Sequence, residues 1–247
     1  MLRAFGDGNL FGEAYGDGPL SVVWLHGWRR RGRDFDAAAA EVLRAGFSSV
    51  ALDLPGHGST PEPAVPGGAR DYARVVLPVL AAAPGPVVLV GHSFGGRIAA
   101  VIAAEHPDLV RAVVFSAAPL VRQHSSARPS WRFRAWRAAH ERGLIGDARM
   151  EAVRHHYGSA DYRAATGVMR DVFVATVNEE YDTDLARIVA PVHLLWGADD
   201  TEVSLRVARE VCRRLPSADL VVLAGVGHLV PTAAPHETAA VALRALA

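Results

Sequence analysis

A serine near the middle of the chain lies in a sequence context that could turn its hydroxyl into a nucleophile. Ser93 is the central residue of Gly91-His92-Ser93-Phe94-Gly95, between an apolar run and a segment of helical period. A tight turn from a strand into a helix strains the backbone at the serine, and glycines two positions before and after it leave room for the two elements to pass. The pattern therefore predicts an exposed hydroxyl that can attack an electrophilic carbon once a base removes its proton.

The second half of the chain supplies a candidate base and two candidate acids. His228 lies in a glycine-flanked stretch after the last apolar run, and Asp199 and Asp200 follow the run before it. Neighbouring residues in a turn point in different directions, so only one aspartate can face the histidine. The spacing from Gly197 favours Asp200, and Asp199 remains the alternative. We predict that His228 takes the proton of Ser93 and that the aspartate holds the correct tautomer of the imidazole.

Two backbone N–H groups are predicted to stabilise the negative charge that develops on a carbonyl oxygen during such an attack. Phe94 opens the helix after the serine, where unpaired N–H groups and the positive end of the helix dipole favour an anion. Trp28 follows a His26-Gly27 turn, in which the glycine lets the backbone bend towards the serine. His57 also follows a strand pattern, but it lies in a turn rich in proline and glycine and is predicted to be structural.

The elements that must position these residues alternate along the chain. Short apolar runs alternate with longer segments of helical period, which predicts an α/β fold with a mostly parallel sheet and helices on both faces. The predicted strands are 21–26, 48–53, 86–91, 110–116, 192–197 and 218–223, with 2–5 and 10–15 as an antiparallel edge hairpin. The predicted helices are 34–45, 69–83, 94–105, 201–215 and 235–246.

Residues 121–187 interrupt this alternation. The segment has no clear strand pattern, and arginine, tryptophan and histidine crowd around its helical patches. We predict a helical insertion within a single domain that spans 1–247. Two interpretations of Trp131, Phe133 and Trp136 stay open: they line an apolar acyl pocket, or they pack the inserted helices against the main domain.

Composition argues against several other classes of protein. The 26 basic and 26 acidic side chains cancel, which gives no sign of a nucleic-acid partner. Cys212 is the only cysteine, so no intramolecular disulfide can form. No apolar run approaches the ~20 residues of a membrane span, and Gly6, Asp7 and Gly8 stand where a signal peptide would need an apolar core. We therefore expect a soluble, cytoplasmic protein that does not bind membranes.

Five motifs, taken in order, make the chain resemble the α/β-hydrolase superfamily in its serine-nucleophile form with a helical cap. They are Leu25-His26-Gly27-Trp28, Asp53 to Ser59, Gly91 to Gly96, Gly197 to Asp200 and Gly227-His228. The resemblance implies that 121–187 covers the active site, that no cofactor and no metal is needed, and that the partner is a small-molecule acyl substrate. Arg97, four residues after the nucleophile, and Leu229, next to the base, are candidate substrate contacts.

The function predicted on this basis is hydrolysis of a small carboxylic ester or related acyl substrate through an acyl-enzyme, as in a carboxylesterase. The alternative uses the same three residues in a C–C bond hydrolase, or in a lyase similar to that of the menaquinone pathway, with Arg97 binding an anionic substrate. A third interpretation, from another class, is a receptor that keeps the fold and only binds its ligand. The sequence does not predict the oligomeric state.

Overall fold

One eight-stranded sheet forms the centre of the computed structural model, which describes residues 1–6, 8–122, 131–215 and 217–247. Its strands are β1 (Leu2–Phe5), β2 (Leu10–Tyr15), β3 (Leu20–Leu25), β4 (Ser48–Asp53), β5 (Val87–His92), β6 (Val110–Ser116), β7 (Val192–Gly197) and β8 (Ala218–Leu223). They lie side by side in the order β1-β2-β4-β3-β5-β6-β7-β8. Strands β3 to β8 are parallel, and β1 and β2 add an antiparallel edge, so the predicted fold class is confirmed.

The central strands are buried on both faces of the sheet. Side chains on a strand point alternately to opposite faces, so Val22 and Trp24 of β3 belong to one hydrophobic cluster and Val23 and Leu25 to the other. All four side chains are completely buried. Burial on both sides explains why these strands appear in the sequence as continuous apolar runs.

Helices cover both faces of this sheet. They are α1 (Asp36–Arg44), α2 (Ala69–Ala81), α3 (Phe94–Glu105), α4 (Trp131–Glu141), α5 (Asp147–Tyr157), α6 (Ala160–Ala164), α7 (Gly167–Asn178), α8 (Asp182–Arg187), α9 (Leu205–Arg214), α10 (Val230–Ala233) and α11 (Pro235–Arg244). Helices α1 and α11 pack on one face, and α2, α3 and α9 pack on the other. Among the described helices, none has both the length and the apolar character needed to cross a membrane.

Helix α9 begins at Leu205, four residues after the predicted start of 201–215. The carboxylate of Asp200 accepts hydrogen bonds from the backbone N–H groups of Glu202, at 2.9 Å, and Val203, at 2.8 Å. These bonds hold the chain in a turn, because a side chain that satisfies nearby backbone donors competes with the helix for them. The delayed start therefore comes from one of the candidate site residues.

The insertion is helical in its described part. Every regular element there is a helix, α4 to α8, and residues 123–130 lie outside the described residues. The three aromatic side chains with two open interpretations differ in their surroundings. Trp131 is 74% exposed, Trp136 is covered by the Arg149 guanidinium at 5.2 Å from its ring, and Phe133 packs against the ring of Tyr157 at 5.7 Å.

Candidate active site

Ser93 lies in the sharp turn between β5 and α3. Its backbone has φ +49° and ψ −109°, in the left-handed range that residues other than glycine rarely adopt. The Ser93 N–H donates to the carbonyl oxygen of Ser116, at the end of β6, over 2.8 Å. Such strained residues persist only where the surrounding structure holds them, and they concentrate at functional sites.

Glycines on both sides of Ser93 permit the close approach of strand and helix. A Cβ on Gly91 would lie 2.5 Å from the carbonyl oxygen of Gly95. A Cβ on Gly95 would collide with the carbonyl oxygen of Leu25 and lie 2.8 Å from that of His26. Both glycines therefore stand where the backbone leaves no space for a side chain, as the sequence pattern predicts.

Alanine at Gly95 is expected to destabilise the protein, because the added methyl group must displace backbone atoms rather than a flexible side chain. We expect the free energy of unfolding to fall by about 2 kcal/mol or more. The matched control is Gly85→Ala, where an added Cβ meets no atom within 4 Å. Urea denaturation of both variants measures the effect, and a Gly95→Ala protein as stable as the control would contradict the packing described for this turn.

The structure pairs His228 with Asp200 and not with Asp199. The Nδ1 atom of His228 lies 2.8 Å from Oδ2 of Asp200. The Asp200 side chain is completely buried, while Asp199 is exposed and its N–H donates to the carbonyl oxygen of Val226. Of the two aspartates that the sequence left open, Asp200 is thus the one that faces the imidazole.

The surroundings of Asp200 favour its ionised form. Burial by itself raises the pKa of this carboxyl, but the hydrogen bonds from His228 and from the N–H groups of Val203 and Glu202 outweigh burial and bring the pKa below its usual value. An ionised Asp200 can only accept hydrogen bonds, so Nδ1 of His228 must carry a proton. In the neutral imidazole Nε2 is then the free base.

Ser93 and His228 line the same cavity, which has a volume of about 950 Å³. Its wall carries many charged side chains, several of them in ion pairs such as Arg122 with Glu180. The Nε2 atom of His228 lies 3.7 Å from a carboxylate oxygen of Glu202, a side chain that is 64% exposed. The free nitrogen of the candidate base is therefore on the side of the imidazole that borders the cavity.

A second histidine packs against the candidate base. The ring centroids of His92 and His228 are 5.0 Å apart. His92 is buried, and burial together with the nearby His228 lowers its pKa to about 3, so that it stays neutral. Its Nδ1 lies 3.1 Å from the carbonyl oxygen of Ser116. Sequence reasoning missed this contact; the only signal was the position of His92 between Gly91 and Ser93.

The turn that carries Trp28 is fixed by the buried His26. The N–H of Leu54 donates to Nε2 of His26 over 3.0 Å, so the proton is on Nδ1, which donates to the carbonyl oxygen of Gly27 over 2.7 Å. Burial, reinforced by the neighbouring His57, lowers the pKa of His26 to about 3. A neutral, doubly bonded imidazole thus holds this turn in one conformation.

This turn passes directly beside the candidate nucleophile. A Cβ added to Gly27 would lie 3.4 Å from Cβ of Ser93. Within the described residues, neither the N–H of Trp28 nor that of Phe94 donates a hydrogen bond to the protein. The two N–H groups predicted to bind an oxyanion are therefore both unpaired, and their residues lie next to Gly27 and Ser93.

Aromatic rings surround the side chain of Trp28. Its centroid lies 5.6 Å from Phe94, 5.2 Å from His57 and 5.3 Å from Phe173 of α7. Burial lowers the pKa of His57, whose ring packs in this cluster as the structural interpretation expects. Phe173 brings the insertion into contact with the turn that follows β3.

The two candidate substrate contacts have different surroundings. Arg97 lines the cavity, but its guanidinium donates a hydrogen bond to the carbonyl oxygen of Thr176 and lies 5.6 Å from the centre of the Tyr181 ring. Leu229 follows His228 in the chain and is 41% exposed, outside the set of cavity-lining residues. Arg97 therefore helps to hold α7 over the cavity, whereas the structure gives Leu229 no specific contact with it.

Metal-ligating residues do not gather in the part of the chain that the structure describes. No group of three or more His, Cys, Asp or Glu side chains there is arranged to hold a metal ion. The adjacent His155 and His156 of α5 are both exposed.

The fold and the site geometry agree with a family assignment. Residues 22–241 match the model of the Alpha/beta hydrolase family. The chain therefore belongs to this family, as the five motifs of the sequence indicate.

Relatives with curated names are hydrolases and peroxidases. A pimeloyl-(acyl-carrier protein) methyl ester esterase of Chromobacterium violaceum is 45% identical over 129 residues, 49% of this chain and 48% of the relative. This match spans about half the length of both proteins. A 2-(acetamidomethylene)succinate hydrolase of Mesorhizobium japonicum is 27% identical over 90% of this chain and 86% of its own. A non-heme chloroperoxidase of Streptomyces lividans is 29% identical over 89% of each.

Solved structures share the fold over nearly the whole chain. A bromoperoxidase from Bacillus anthracis superimposes with a TM-score of 0.74 at 18% identity, covering 96% of this chain and 95% of that one. An esterase from Exiguobacterium antarcticum does so with a TM-score of 0.73 at 18% identity, covering 99% and 98%. At such low identity these likenesses concern the fold alone.

Proposed function

We propose that the protein is a serine hydrolase that cleaves a small carboxylic ester or related acyl substrate through an acyl-enzyme. The observation that carries the proposal is the buried pair of Asp200 and His228, which opens onto the same cavity as the strained Ser93. A carboxylate that fixes the imidazole tautomer and leaves Nε2 as a base beside a serine is the arrangement that nucleophilic acyl transfer requires.

Each residue has a defined step in this reaction. His228 takes the proton of Ser93 through Nε2 while Oγ forms a bond to the substrate carbonyl carbon. The N–H groups of Trp28 and Phe94 stabilise the resulting oxyanion. His228 then protonates the departing alcohol oxygen, which leaves an acyl-enzyme. The same base deprotonates a water molecule that attacks this ester, and the acid leaves as Ser93 regains its proton.

The names of the relatives support hydrolysis of an ester. The Chromobacterium relative is a methyl ester esterase, and the Mesorhizobium relative is a hydrolase. The alternative of a lyase or C–C hydrolase needs Arg97 free to bind an anion. The hydrogen bond to Thr176 and the contact with Tyr181 give Arg97 a structural role that needs no anionic substrate, and the names of the relatives are what favours the esterase.

A fluorophosphonate probe tests the nucleophile. We expect the native protein to form one covalent adduct, which peptide mapping places on Ser93, and to hydrolyse a panel of short 4-nitrophenyl esters. Prior inactivation by the probe should remove the esterase activity in proportion to the fraction labelled. A folded protein that forms no adduct, or an adduct on Ser116 with esterase activity intact, would contradict the proposal.

A further inference from the structure

We propose that a pocket inside the insertion binds the carboxylate at the far end of the substrate's acyl chain. The pocket, called here the insertion pocket, has a volume of about 350 Å³. It is lined by four aromatic side chains, an arginine and a serine: Phe133, Tyr157, Tyr162, Phe173, Arg154 and Ser159. The inference rests on the proposed esterase function and specifies its substrate as the ester of a dicarboxylic acid whose other carboxylate is free.

The insertion pocket lies beside the turn that carries Trp28. Phe173 lines the pocket, and its ring also packs on the ring of Trp28 at 5.3 Å. Trp28 in turn contacts Phe94, the residue after the nucleophile, at 5.6 Å. The rings of Phe173 and Trp28 therefore lie between the insertion pocket and the residue after the nucleophile, and the inference requires the acyl chain of the substrate to run past them.

The walls of the pocket suit an apolar chain. Phe133 and Tyr157 meet edge to face at 5.7 Å, and they join α4 to α5 along one side. Phe173 of α7 lines another part of the wall. Aromatic walls favour the burial of methylene groups, because apolar area leaves water there without loss of hydrogen bonds.

The charged side chains near the pocket indicate which group the far end of the substrate's acyl chain should carry. Glu151 accepts hydrogen bonds from Arg170 at 2.9 Å and from the hydroxyl of Tyr162 at 2.9 and 3.0 Å. Arg154 lies farther from this carboxylate, at 3.7 Å, and its side chain is 46% exposed. Among the described residues, Arg154 and Arg170 share the carboxylate of Glu151, which leaves donors of Arg154 available at the pocket wall and one more positive charge than negative in this group.

A carboxylate is the group that best fits these donors. The planar fork of an arginine binds both carboxylate oxygens at once, and it does so with more geometric selectivity than a single charge. The resulting ligand is amphipathic: an ester at Ser93, methylene groups along the aromatic wall, and a free carboxylate at Arg154. This division separates the reacting end of the substrate from the end that gives specificity.

Matched esters and matched variants test the inference. The substrates are the monomethyl esters of adipate, suberate and sebacate, each compared with the methyl ester of the monocarboxylic acid of equal length. We expect Arg154→Gln to raise KM for the best monomethyl dicarboxylate by roughly 10- to 100-fold, with kcat changed little, since a hydrogen-bonded charge is lost from binding alone. The neutral esters should keep their KM.

Arg149→Gln is the control variant. Arg149 lies on the same helix, but its guanidinium covers Trp136 and is not part of the pocket wall. It should leave KM for both series unchanged. Equal effects of the two variants, equal effects of Arg154→Gln on charged and neutral esters, or no effect of Arg154→Gln would each overturn the inference.

Binding without turnover separates this inference from the proposed function. In a Ser93→Ala background, calorimetry should detect the binding of monomethyl suberate. The further change Arg154→Gln should raise the Kd by a factor similar to the rise expected in KM. If the native protein has no esterase activity, the proposed function is refuted. The binding measurements still decide the role of Arg154 in that case. Binding of monomethyl suberate that is equal with and without Arg154 would refute the pocket assignment.

Discussion

Alanine in place of Ser93 is expected to lower kcat for ester hydrolysis by about 10⁴-fold or more. The loss follows because the proposed mechanism forms the acyl-enzyme on the Ser93 hydroxyl. Residual turnover should come only from water attack assisted by the oxyanion donors. Steady-state kinetics with 4-nitrophenyl acetate and loss of the fluorophosphonate adduct measure the effect.

The fold should survive this change. Alanine carries the same Cβ as serine at φ +49°, so the backbone strain of the turn is equal in both proteins. The matched control is Ser59→Ala, an exposed position in a turn, which should retain full activity. A Ser93→Ala protein that keeps its unfolding temperature and more than a tenth of its activity would place the nucleophile elsewhere.

The sheet was predictable because its strands obey one simple constraint. Strands β4, β6, β7 and β8 match the predicted ranges residue for residue, and inner strands such as β6 and β7 are largely apolar because both of their faces are covered. Strands β3 and β5 are each displaced by one residue. The predicted and observed starts of α9 differ by four residues. Local hydrogen bonds cause this difference, because the side chain of Asp200 accepts bonds from the N–H groups of Glu202 and Val203.

The position of Ser93 and His228 on one cavity was predictable from topology alone. Both follow parallel strands, and the carboxyl ends of parallel strands lie along one edge of the sheet. The choice between Asp199 and Asp200 was not predictable in the same way. It depends on a turn in which the N–H of Asp199 bonds to Val226, 27 positions later, and no local pattern encodes that partner.

Contacts between the insertion and the rest of the chain could not be predicted from the sequence for the same reason. The packing of Phe173 on Trp28 joins residues far apart in the chain, and so does the hydrogen bond of Arg97 to Thr176. Helical period indicates that α7 forms, but it does not indicate which element its side chains meet. The sequence could therefore name Arg97 as a residue near the site without showing that its guanidinium bonds to α7.

Asparagine in place of Asp200 is expected to lower kcat by about 10⁴-fold, with a much smaller change in stability. The amide keeps one oxygen that can accept the N–H groups of Glu202 and Val203, so the turn before α9 can persist. Facing His228, however, the amide can present its NH₂ group, which requires an unprotonated Nδ1 and moves the proton to Nε2. The imidazole then has no base directed at the cavity, and an imidazolium is no longer stabilised by a buried carboxylate.

The neighbouring aspartate provides the control for this loss. Asp199 is exposed, and among the described residues its hydrogen bond is that of its backbone N–H, so Asp199→Asn should change kcat less than about threefold, as expected for a surface substitution. The two variants have equal charge and equal composition, and they differ in whether the buried carboxylate that faces His228 or its exposed neighbour is changed. If both lose activity equally, or if Asp199→Asn loses more, then the pairing of Asp200 with His228 does not orient the base, and the proposed proton transfer from Ser93 fails with it.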